Sequence, residues 1–142
     1  MDALNRLFCY IAAMITFTSS VLVIESHPLM RDALCAAITA EPDLKVAAQA
    51  VNGAEALRMV ETLQPNVILL ALRNPVMDDL EALIALRKSM PGTPIVALTS
   101  NEVPGQEQAA LNSGACMALT KALPRAVLIN KLRELRSMEI MD

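Results

Sequence analysis

The stretch Val67-Ile68-Leu69-Leu70-Ala71-Leu72-Arg73-Asn74-Pro75-Val76-Met77-Asp78-Asp79-Leu80 reads as a buried strand, a loop and the start of a helix. Val67 to Leu72 is apolar at consecutive positions, so both faces of that strand are covered, as in a parallel sheet flanked by helices. Asn74-Pro75 breaks the run, and Asp78 or Asp79 can cap the helix that follows. Leu80, Leu83, Leu86 and Met90 then recur at helical spacing.

The same alternation extends in both directions. Upstream lie a strand over Val21 to Ile24, and a helix with Pro28 in its first turn and Met30, Leu34, Ala37 and Ile38 on one face. Glu41-Pro42-Asp43 ends that helix, and a second strand falls within Leu44 to Ala50. Asn52-Gly53 is a turn, followed by the helical stripe Ala56, Leu57, Val60 and Leu63. Downstream, Pro91-Gly92-Thr93-Pro94 separates the central unit from a strand over Ile95 to Thr99. A helix over Gln106 to Ser113 closes at Gly114, and a short strand spans Cys116 to Leu119. Pro124 opens the last helix, with Leu128, Leu132 and Leu135 inward. Five successive βα units with right-handed crossovers predict an α/β fold: a doubly wound, five-stranded parallel sheet of flavodoxin-like order 2-1-3-4-5.

The chain of 142 residues is long enough for one buried core, and 54% hydrophobic against 19% charged residues excludes a disordered protein. Its aromatics, Phe8, Tyr10 and Phe17, all precede residue 20, which leaves no platform for stacking bases. A net charge of -3 gives no drive toward a phosphate backbone, so direct nucleic-acid binding is not expected. The basic run Lys121, Arg125, Lys131, Arg133 and Arg136, against Glu134, reads as a solvated helix face. Cys9, Cys35 and Cys116 are odd in number and far apart, which argues against disulfides and zinc and fits a reducing cytoplasm. Cys35 and Cys116 read as small core residues. Leu7 to Ile24 carries no charge, but Thr16, Thr18, Ser19 and Ser20 interrupt it and its end is used as a strand, so a membrane anchor is not expected. The expected organisation is a helical extension over residues 1–19 that docks on the domain or on a partner, a domain over 20–137, and a tail over 138–142.

The carboxyl ends of the strands carry Glu25 and Ser26, Ala71, Thr99 and Lys121. With His27-Pro28-Leu29 and Asn52-Gly53-Ala54-Glu55-Ala56-Leu57 at their offsets, this pattern resembles the receiver domains of response regulators, from Val21 to about Leu135. The wording is nearest to receivers that precede a helix-turn-helix output domain. The resemblance implies an aspartate phosphoacceptor at the end of the third strand and an adjacent acid pair after the first, which together hold Mg²⁺. Here those places carry Ala71, and Glu25 with Ser26. One remaining carboxylate is too few for the ion, so neither a metal nor any other cofactor is expected. Thr99 and Lys121 match the hydroxyl and ammonium that contact the phosphoryl group. Their simplest use here is a Glu25–Lys121 ion pair and a strand-end cap by Thr99. The rotating aromatic of the family's switch corresponds to Ala118.

His27 reads as part of the helix start, and Asp78-Asp79 as capping residues rather than a substitute phosphoacceptor. No GxGxxG or Walker pattern is present. The expected function is therefore non-enzymatic: a phosphorylation-independent receiver in two-component signalling or transcription regulation, binding a protein partner or itself as a homodimer. The expected surface is the segment 106–135, or the first and last helices of the domain. The alternative is a sensor of a small anion or metabolite held between Thr99 and Lys121.

Overall fold

A computed structural model describes residues 2–16, 18–73, 77–100 and 103–141. The elements run α1 (Ala3–Thr16), β1 (Ser19–Ile24), α2 (Pro28–Thr39), β2 (Leu44–Ala50), α3 (Gly53–Leu63), β3 (Val67–Ala71), α4 (Met77–Ser89), β4 (Ile95–Thr99), α5 (Gln106–Ser113), β5 (Met117–Thr120) and α6 (Arg125–Met141). All neighbouring strands pair in parallel, in the order β2-β1-β3-β4-β5. This is the doubly wound sheet that the sequence pattern predicts.

Strand alternation divides the core into two layers. Val21, Val23, Val67, Leu69, Val96 and Leu98 meet α2 and α6 through Leu34, Ile38, Leu128, Leu132 and Leu135. Leu22, Ile24, Ile68, Leu70, Ile95 and Ala97 meet the helices of the other face through Ala56, Val60, Leu83, Leu86 and Ala110. Every residue of β3 is buried, which accounts for its unbroken apolar run.

The turn residues have specific uses. Asn52 is the N-cap of α3, its Oδ1 accepting from Glu55 N at 2.9 Å. A methyl at Gly53 would lie 2.2 Å from Ala82 Cβ, so α3 and α4 approach too closely there for any side chain. Arg87 Nε and Nη2 donate to Gly114 O at 3.0 and 2.8 Å, and Nη1 donates to Thr93 O at 2.8 Å, tying α4 to the turns before β4 and β5.

Three expectations are corrected. Met30 is exposed, and Cys35 joins Leu34 and Ile38 on the buried face of α2. β5 starts one residue later than expected, so Cys116 lies before the strand and is exposed rather than in the core. Arg133 is no free surface charge: its guanidinium donates to Asp43 at 2.8 and 3.2 Å and to Glu41. In α1, Leu4, Leu7, Phe8 and Ile11 are exposed. Among the described residues no helix is long and apolar enough to cross a membrane.

Candidate functional site

The alternation that sends Val21 and Val23 toward α2 and α6 carries on to Glu25, just past the end of β1. Ala71 lies on that same face at the end of β3. Lys121 continues the face set by Met117 and Leu119 on β5. A crevice at the carboxyl edge of the sheet therefore gathers residues from three strands, as doubly wound sheets do where strand order reverses.

Glu25 is 5% exposed. Its Oε1 accepts from His27 N at 3.2 Å, while its buried Oε2 has no hydrogen-bond partner. Arg31 Nη1 donates to the Glu25 carbonyl at 2.9 Å and leaves the carboxylate alone. Ser26 is exposed. His27 is the N-cap of α2, its Nδ1 accepting from Met30 N at 3.4 Å, which is the helix-start use expected of it.

The expected Glu25–Lys121 ion pair is not formed. Lys121 Nζ instead donates to Leu72 O at 2.7 Å. The reason is geometric: β3 ends at Ala71, so the Leu72 carbonyl lies beyond the strand ladder and needs a donor from elsewhere. With a methyl at residue 71, nothing on that strand competes for the ammonium. Thr99 is buried on the opposite layer from Glu25, following Ile95 and Ala97, and its Oγ1 donates to Leu119 O at 3.4 Å. Ala118 is half-buried against that same opposite layer and pairs with Ala97.

Glu25 and Lys121 nonetheless line one cavity of about 110 Å³, walled by Met30, Leu34, Leu98 and Leu128. It adjoins a wider groove edged by Leu29, Ala33 and Arg125. Thr99 and Ala71 are not among the residues lining either space.

The donors do not fit the Mg²⁺ ion that this fold family implies. A hard cation of that kind needs several oxygens. The crevice has one buried carboxylate, Glu25, with an exposed Ser26 and a hydrocarbon at residue 71. Among the described residues no group of three or more His, Cys, Asp or Glu comes together.

Sequence reasoning missed the pairing of Arg73 with Asp79. Asp79 is 2% exposed and accepts from Arg73 N at 2.6 Å and from Arg73 Nη2 at 2.8 Å. The hydrogen bond to Asp79 holds the Arg73 guanidinium above its ordinary pKa. Asp78 and Asp79 both lie inside the first turn of α4, so neither is its N-cap, and Asp79 holds Arg73 just past β3 instead. A charged pair six residues apart across a proline has no periodic signature, so only its geometry finds it.

A parallel sheet in this order, with an acid after β1 and a lysine after β5, defines the receiver class of doubly wound domains. Residues 21–133 match the response regulator receiver domain, and the chain belongs to that family. It is 33% identical over 126 residues to the nitrate/nitrite response regulator protein NarL of Escherichia coli strain K12, covering 87% of this chain and 57% of NarL. It is 38% identical over 106 residues to protein-glutamate methylesterase/protein-glutamine glutaminase 2 of Photobacterium profundum, covering 73% of this chain and 27% of that protein. The chain thus spans about half of the first relative and about a quarter of the second. Its fold matches the signal receiver domain of the putative response regulator NarL from Mycobacterium tuberculosis with a TM-score of 0.76 at 27% identity, covering 84% of this chain and 97% of that one. The response regulator domain of Thermotoga maritima CheB matches with a TM-score of 0.74 at 28% identity over 84% of this chain and 97% of that one.

Proposed function

We propose that this receiver works without accepting a phosphoryl group, as a module that binds a protein partner or a second copy of itself in two-component signalling or transcription regulation. The observation that carries the reading is Ala71. It stands at the end of β3, 5% exposed, and its methyl group offers no nucleophile and no metal ligand. Two further features support it. Lys121 is engaged by the Leu72 carbonyl, and Ala118 has no side-chain rotamer with which to report a change at the crevice. The receiver region itself has no catalytic role in this reading. Its docking surfaces are the α5-β5-α6 side, where Leu111 and Val127 are exposed, and the start of α2, where Leu29 is exposed.

The test is incubation with acetyl phosphate, or with beryllofluoride, in the presence of Mg²⁺. Neither should modify the protein or raise its melting temperature, and stoichiometric labelling refutes the reading. Self-association is tested by light scattering of the full chain against one beginning at Thr18; a monomeric mass in both removes the homodimer.

A second reading, a small-molecule sensor, draws support from the cavity beside Glu25. The anion site first expected between Thr99 and Lys121 is not retained, because Thr99 belongs to the opposite layer and its hydroxyl is bonded to Leu119.

A further inference from the structure

We propose that the cavity between α2, the end of β1, the end of β5 and the start of α6 binds a small aliphatic zwitterion, an amino acid of the leucine class. The ligand's ammonium would meet the Glu25 carboxylate, its apolar body the cavity walls, and its carboxylate the cations at the rim. The inference deepens the sensor reading and rests on phosphoryl chemistry having left the crevice.

The first argument is the orphaned oxygen. Buried polar atoms are nearly always hydrogen-bonded, and an uncompensated buried charge is costly. Glu25 lines the cavity, and its Oε2 is buried without a hydrogen-bond partner although Lys121 lines the same cavity and Arg31 bonds the Glu25 carbonyl. Both are turned elsewhere, Lys121 to Leu72 O and Arg31 to the Glu25 carbonyl. The carboxylate is therefore without an ion pair, and a small turn of its side chain would present Oε2 to a donor in the cavity.

The second argument is the shape and polarity of the space. Met30, Leu34, Leu98, Leu123 and Leu128 surround the cavity, so its occupant is largely aliphatic. A volume of about 110 Å³ is of the same order as the roughly 150 Å³ apolar cavity that takes a benzene-sized guest, enough for one branched alkyl group. The adjoining groove leaves room for a polar end outside the enclosed part.

The third argument is charge. Arg125 lines both spaces and has no ion pair or side-chain hydrogen bond among the described residues. Lys121 spends one of its three N–H groups on Leu72. A simple anion in the cavity would face the Glu25 carboxylate, and a simple amine would leave Arg125 unanswered. A molecule bearing both charges next to an aliphatic body satisfies all three features.

The experiment is calorimetric titration of the full chain with leucine, isopentylamine and isocaproate, alongside beryllofluoride with Mg²⁺. Leucine should bind saturably at one site, with the amine and the acid each weaker by about tenfold or more, the loss expected for one charged hydrogen bond. Glu25→Gln and Arg125→Gln should each weaken leucine by a similar factor. Glu25→Gln should also keep or raise the melting temperature, because a neutral amide is easier to bury, so its loss of binding cannot come from unfolding. Leucine binding that survives Glu25→Gln, or equal binding of all three compounds, overturns the proposal. Silence of leucine together with silence of beryllofluoride overturns the cavity assignment alone. Saturable beryllofluoride binding overturns the phosphorylation-independent reading on which the assignment rests.

Discussion

Returning a carboxylate to residue 71 should destabilise this chain rather than restore it. Ala71 is 5% exposed and shares a face with Glu25, itself 5% exposed with one oxygen unpartnered. The added carboxylate in Ala71→Asp has two outcomes. If Lys121 stays on Leu72 O, the new charge is buried without a partner, which costs several kcal/mol after relaxation. If Lys121 swings over, the Leu72 carbonyl loses its donor at about 1–3 kcal/mol, and part of the desolvation of the new pair remains. Either way the loss is about 2–4 kcal/mol, or roughly 10 °C in melting temperature for a domain of this size. The sign with pH follows from the neighbouring carboxylate. Like charge and burial raise the folded-state pKa of the added group above its unfolded value of about 3.9. The folded variant then holds more protons than the unfolded one, so its stability relative to the parent falls as pH rises through the raised pKa. The deficit should be largest near about pH 8 and shrink toward about pH 5. Urea melts of parent and variant at both pH values, with and without Mg²⁺, measure it. Because Ser26 still withholds an oxygen ligand, Mg²⁺ should restore little to Ala71→Asp and more to Ala71→Asp with Ser26→Asp. A single variant as stable as the parent at the higher pH without metal would refute the reasoning.

Three other outcomes test the packing and electrostatics. Gly53→Ala places a methyl 2.2 Å from Ala82 Cβ and should cost about 1–3 kcal/mol in a urea melt, while adding Ala82→Gly should recover part of that despite its own helix penalty of about 1 kcal/mol. Arg133→Met removes the tie from α6 to Asp43 and Glu41 and should lower stability by about 1–3 kcal/mol, whereas Lys131→Met, which removes the more exposed 3.6 Å pair with Glu134, should stay within about 0.5 kcal/mol. Burial first, and then the charge of Asp32, push the Cys35 thiol above its ordinary pKa. Burial raises the Cys116 thiol as well, so exposure decides the order: a thiol reagent at about pH 8 should reach exposed Cys116 before buried Cys35, and equal rates in the native protein would contradict the buried placement.

The division between what was legible and what was not follows the range of the interactions. The elements themselves depend on neighbours in sequence, and Pro91-Gly92-Thr93-Pro94 and Gly114 punctuate the chain strongly enough that β4 and α5 fall on the expected residues. A weaker boundary at β5 moved by one residue, and Cys116 falls just before the strand, where it is exposed. The absence of a carboxyl at residue 71 is likewise a property of the chain alone. What Lys121 does about that absence is not, because its partner is a carbonyl 49 residues away that is left over where a strand ends. The clamp of Arg133 on Asp43 spans 90 residues, and no local spacing announces it. Local periodicity therefore determined the strands and the helices, and the resemblance to receivers marked Ala71 as the place where that family carries an aspartate. The tertiary structure decided which charges meet and which buried oxygen is left without a donor, because those pairings are settled by competition among groups that only the folded sheet brings within reach.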